Sequence, residues 1–168
     1  GGEITNLTNS GYTSTSPQWV LDGNAILFTT ERYGMRAHAS WGSLNDAMLV
    51  FMNQDAYDKF RLSKEDYELQ KELEKEQKEV TGDKIDDKKK DKADEKKDEK
   101  PKDIVVELKG IQDRILRLTP NSSEMGSAVI SKNGETLYYF SAFEDKYDLW
   151  KMDLRKKETK LLHKMNTG

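Results

Sequence analysis

The stretch "VLDGNAILFTT", residues 20–30, sets an Asp-Gly pair in front of a short apolar run. Asp-Gly between apolar stretches signals a type I′ hairpin, because both central residues of that turn need positive φ. A lone hairpin decides little, since two strands and a turn occur in most folds that contain a sheet. A repeated one decides much more. Sliding the sequence along itself by 111 residues sets "DGNAILFTT" on "NGETLYYFS" and, at the same offset, "ITNLT" (residues 4–8) on "ILRLT" (residues 115–119). "NDAML" (residues 45–49) falls on "YDLWK" (residues 147–151) at an offset of 102, so the connection before it is nine residues longer in the first copy.

Each copy reads as short strands separated by turn residues. In the second copy they cover residues 126–131, 135–142, 147–154 and 158–164, and the Asn133-Gly134 pair supplies a second type I′ signal. Four antiparallel strands in series make a β-meander, the unit that β-propellers stack radially. A sandwich also has short strands at this spacing, but it seldom repeats a meander in register. The expected fold is therefore all-β: two consecutive four-stranded antiparallel propeller blades, with an insertion in the first. Residues 1–52 give the first blade's strands, 53–80 a helical insertion, 81–103 a disordered linker, 104–118 the closing strand and 119–168 the second blade.

Composition locates the insertion. The chain has 168 residues and a formal charge of -3, a balance that argues against nucleic acid as a partner. Residues 53–103 hold 33 of its 59 charged residues, and the remainder has the charge density of ordinary globular sequence. Ala56, Tyr57, Phe60 and Leu62 form an apolar piece expected to dock on the blade. Ser63 with Asp66 makes a weakened capping box for a helix that should stand in solvent. "DKIDDKKKDKADEKKDEKPKD" (residues 83–103) carries 9 Lys against 9 acidic residues, with almost nothing to bury, and is expected to be disordered. Pairing should resume at "IVVEL" (residues 104–108), with "RILRL" as the outer strand. No apolar run approaches the length of a membrane span, and the absence of cysteine excludes disulfides without deciding the compartment.

The blade sequences resemble a known family. "SPQWVLDGNAILFTTERYG" (residues 16–34) is similar to the "sPxwSPDGkxIaFxSdR" signature of TolB-like and tricorn-type propellers, with Val20-Leu21 in place of Ser-Pro. "HASWGSLNDAMLVFMNQDAYDKFRLSKEDYEL" and "IQDRILRLTPNSSEMGSAVISKNGETLYYFSAFEDKYDLWKMDL" resemble the propeller of bacterial tricorn-protease homologues. Such proteins are large serine peptidases with N-terminal propellers, a PDZ domain and a C-terminal catalytic domain. The resemblance implies a propeller piece without catalytic residues, working with the remaining blades, the PDZ and catalytic domains and peptide substrates. It also implies export to the periplasm, with a cytoplasmic location left as the alternative. The alternative function is a non-enzymatic TolB-like propeller that binds other envelope proteins. The chain begins Gly1-Gly2 without an initiator Met and reads as an excised piece. Two blades cut from a ring leave faces without partners, so marginal stability is expected, with self-association or packing of the two sheets on each other.

The long loop over residues 31–46 is the candidate binding site. It carries Arg32, Tyr33, Arg36, His38, Ser40 and Trp41, and arginines with aromatics on a rigid β scaffold suit capture of peptide carboxylates and side chains. The plainer reading has Trp41 capping a blade and the arginines solvated or paired with acids. For His38 and Ser40 neither a third, orienting group nor an oxyanion hole can be placed from sequence, so no catalysis is assigned to them. His163 reads as an ordinary strand residue, Asp145 and Asp148 as turn residues bonding locally, and Met125, Met152 and Met165 as strand filler. Trp19 and Trp150 are expected to pack between blades. No cofactor and no metal are expected.

Overall fold

The computed structural model of the chain describes residues 2–36, 42–80, 103–143 and 146–167. The expected linker over residues 81–103 falls almost entirely outside them. The chain is mostly β and builds two four-stranded antiparallel sheets in simple meander order. The first contains β1 (Ser14–Val20), β2 (Ala25–Thr30), β3 (Asp46–Phe51) and β4 (Ile115–Arg117). The second contains β5 (Glu124–Ile130), β6 (Thr136–Ala142), β7 (Tyr147–Asp153) and β8 (Glu158–Thr167).

The two offsets reappear as cross-strand register. Ala25 stands opposite Phe51 and Ile26 opposite Val50, and their repeat equivalents pair the same way, Thr136 with Asp153 and Leu137 with Met152. Trp19 opposite Ile26 is matched by Ile130 opposite Leu137. Both first strands are bulged near their start, between Thr15 and Gln18 and between Met125 and Ser127. A one-residue slip would move every side chain to the other face, so matched register means matched faces.

The first hairpin turns as its sequence signals. Asp22 and Gly23 have φ of 53° and 85°, and the Asn24 N–H closes on Leu21 O at 3.0 Å. The second hairpin differs from the expected type I′ turn at Asn133-Gly134. Its turn sits one residue earlier, closing the Gly134 N–H on Ser131 O at 2.8 Å, and only Gly134 (φ 73°) of the pair is left-handed. The Asn133 side chain is the cause: its Oδ1 accepts the Glu135 N–H at 3.2 Å, a local bond that holds the residue out of the ladder. A Cβ on Gly134 would lie 2.9 Å from Leu21 Cδ2, so the two hairpin turns pack against each other.

The main core lies between the sheets. Ala25, Leu27, Ala47, Leu49 and Phe51 of the first sheet meet Ala128, Ile130, Leu137, Tyr139 and Met152 of the second. These facing sets have opposite parity in the repeat: the register equivalents of Leu137 and Tyr139 are Ile26 and Phe28, on the far side of the first sheet. That far side has its own smaller core of Phe28, Met48, Val50 and Met52, closed by Ile111 and Leu7. Trp150 packs on the main core and donates Nε1–H to Ser141 O at 3.2 Å. Trp19 does not fit its expectation. It is 57% exposed, because its far-side position has no second sheet to face.

Between β3 and β4 the chain makes its long excursion. Helix α1 (Gln54–Arg61) docks with Ala56, Tyr57 and Phe60 on the main core and the Phe60 ring 5.1 Å from Phe51, while Leu62, the fourth residue expected there, belongs to a separate unit. "IVVEL" forms no strand; its Glu107 N–H makes one bond to Met52 O (2.8 Å), and β4 is confined to Ile115–Arg117. Buried Arg114 explains the difference by donating to the carbonyls of Phe51, Glu107 and Lys109, so this stretch is gathered around a side chain instead of laid along a strand. Residues 62–104 form a separate unit. Within it α2 (Lys64–Val80) starts on the Ser63 hydroxyl, which accepts the Asp66 N–H at 3.1 Å, and Leu69 and Leu73 are exposed as a solvated helix requires.

Candidate functional site

In the loop between β2 and β3, residues 34–36 pair with residues 42–44, and Asn45 is bonded to Ser123 ahead of β5. Gly34 passes so close to Leu44 that a Cβ there would lie 1.7 Å from the Leu44 carbonyl oxygen, so only glycine permits this approach. The Leu44 N–H donates to Met35 O at 3.0 Å, and Arg36 bridges Ser43 as in an antiparallel pair. Asn45 then exchanges both backbone bonds with Ser123, at 2.8 and 3.1 Å.

Glu31 is the centre of the loop's polar contacts. One carboxylate oxygen accepts from Arg36 Nη2 at 2.9 Å and from the Thr13 N–H at 3.3 Å; the other accepts the Ser43 hydroxyl at 2.5 Å. The Ser43 hydroxyl first, then the Thr13 backbone, holds this carboxyl below its ordinary pKa, with Arg36 adding a smaller pull. Arg36 also lies over the Tyr12 ring at 5.1 Å, and Tyr33 has Arg117 at 5.0 Å and Arg32 at 5.5 Å from its centroid. Arg117 is itself held by buried Asp46. The sequence-derived site residues thus divide. Arg32 and Tyr33 contact each other, whereas Arg36 lies over Tyr12 and is paired with Glu31; His38, Ser40 and Trp41 lie outside the described residues.

An open pocket of about 390 Å³ lies at the base of the loop. It is lined by Arg36 and Ser43–Asn45 of the loop and by Glu124, Met125 and Tyr147 of the second sheet. It therefore sets the Glu31-paired Arg36, an acidic side chain and apolar surface within one open groove. Reading the loop by itself missed Glu124, Met125 and Tyr147, because they belong to the other copy of the repeat. The Asn45–Ser123 bridge that brings them in has no local sequence signal.

Other singled-out residues have structural places. Asp148 accepts the Met165 N–H at 2.7 Å, a bond across to β8 in place of the local turn bond expected of it, while Asp145 lies outside the described residues. Met152 is buried and Met125 is half-buried on the core, but Met165 is exposed, contrary to a filler role. His163 stands on β8 opposite Leu149. Among the described residues no group of three or more His, Asp or Glu could hold a metal ion, and no helix is long and apolar enough to cross a membrane. No protein-family model matches the chain, and no curated protein is significantly similar to it.

Proposed function

We propose that this chain is a pair of consecutive propeller blades from a tricorn-like serine peptidase, a part without chemistry of its own that admits or positions peptides for a catalytic domain elsewhere in the protein. The opposite parity of the two facing surfaces carries the propeller reading. Sheets related by a two-fold axis pack like faces together, whereas blades stepping around an axis set the front of one against the back of the next. Exposed Trp19 supports it as well, since its register equivalent Ile130 is buried between the sheets. At the other end Val129 is 54% exposed beside half-buried Tyr138, Phe140 and Leu149, a surface that a third sheet would cover.

The peptidase assignment rests on the sequence resemblance, and with it come the remaining blades, the PDZ and catalytic domains, and export to the periplasm. The pocket supplies the handling surface: Glu124 for an amine or basic side chain, Met125 with Tyr147 for apolar groups, and Arg36 for a carboxylate that displaces Glu31 or shares the guanidinium with it. The test is cleavage of peptides of increasing length by the full parent chain, with and without its propeller. Activity on long substrates that changes on removal while short peptides are unaffected supports gating. A parent that cleaves nothing in either form leaves the envelope-binding propeller as the function.

A further inference from the structure

The first and second sheets meet through surfaces one step apart in the repeat, and the step can be taken again. It would set the far side of one copy's first sheet on the open face of another copy's second sheet. The equivalents of Ile130, Leu137, Tyr139, Trp150 and Met152, which seat the second sheet, are Trp19, Ile26, Phe28, Met48 and Val50. A contact of this heterologous kind does not satisfy itself in a pair and builds rings or filaments.

Most of that far side is already covered by the chain itself. Phe28, Met48 and Val50 are buried beneath Leu7 and Ile111, which is 1% exposed. The covering segment is fastened at two points. Glu107 N–H bonds Met52 O, and the buried Arg114 guanidinium gathers the carbonyls of Phe51, Glu107 and Lys109. We propose that the turn at residues 110–114, which seats Ile111 on this face, forms with Leu7 a shield that stops copies of this chain from stacking head to tail through the open face of the second sheet. Register carries this inference; in a propeller the same cover has to open before a preceding sheet can seat on this face.

Sedimentation velocity over a wide concentration range tests it. The unaltered chain is expected to stay monomeric. Arg114→Ala releases the shield, and its sedimentation coefficient then rises with concentration; adding Tyr138→Lys on the open face restores the monomer. Leu7→Glu disturbs the cover without touching the pin and gives the same pair of results should Arg114→Ala fail to fold by circular dichroism. A folded variant of either kind that remains monomeric throughout overturns the proposal. So does association that Tyr138→Lys leaves unchanged, or an unaltered chain that already associates through Tyr138.

Discussion

Asp46 is wholly buried, and its carboxylate accepts from Arg117 Nε at 3.0 Å, Arg117 Nη2 at 2.8 Å, Thr119 Oγ1 at 2.8 Å and Ser122 Oγ at 2.8 Å. Asp46→Ala leaves a guanidinium and two hydroxyls without their acceptor. A loss of about 3 kcal/mol is expected, the low end for a broken buried pair because Arg117 is partly exposed. Urea unfolding should show it as a lower midpoint at unchanged slope. Glu31 makes a prediction in pH. Its folded pKa is depressed, so the loop's contacts add stability above its unfolded pKa and lose it as pH falls through the folded value. Carboxyl NMR should show Glu31 titrating below the ordinary glutamate value, and Gly34→Ala should return it to the ordinary range by prising Ser43 away. Asp46 was legible as the acid shared by "NDAML" and "YDLWK", and its counterpart Asp148 likewise bonds the fourth strand. Its burial was not legible, because an acid at a strand start reads as a turn residue.

Strands and hairpins were largely visible in advance, because turn chemistry and apolar runs are local. The misplaced "IVVEL" strand shows where local reading fails: its residues have strand propensity, but Arg114, several positions later, draws the Glu107 carbonyl to itself together with those of Lys109 and Phe51. The docking of α1 was legible from its apolar spacing, and it depends on Phe51, which is fully buried against the Tyr57 and Phe60 rings. Phe51→Ala should cost about 3–5 kcal/mol and release α1, read as a lower urea midpoint with loss of hydrogen-exchange protection over residues 54–61. Trp19→Ala should cost less than about 1 kcal/mol in this chain, since the ring is mostly exposed. In a longer protein that supplies a neighbouring sheet, Trp19 fluorescence should shift to the blue and the same substitution should become severe.

At the level of the molecule the repeat is read twice, once as sequence offsets and once as register, and the parity of the facing surfaces could be found only by joining the two. The pocket between the β2–β3 loop and β5 has the same character, since it needs both copies. Chain connectivity, by contrast, differs sharply between the sheets. Asp46 and Arg117 lie 71 positions apart, whereas Asp148 and Met165, which close the second sheet in the same way, lie 17 apart. Closing the longer loop costs about 1 kcal/mol more in chain entropy. Two sheets of one design therefore stand on different clocks. The second can complete itself from near neighbours while β4 must wait for a distant stretch of chain, so the first sheet should finish late. Replacing residues 54–104 with a short turn should speed refolding in stopped-flow experiments.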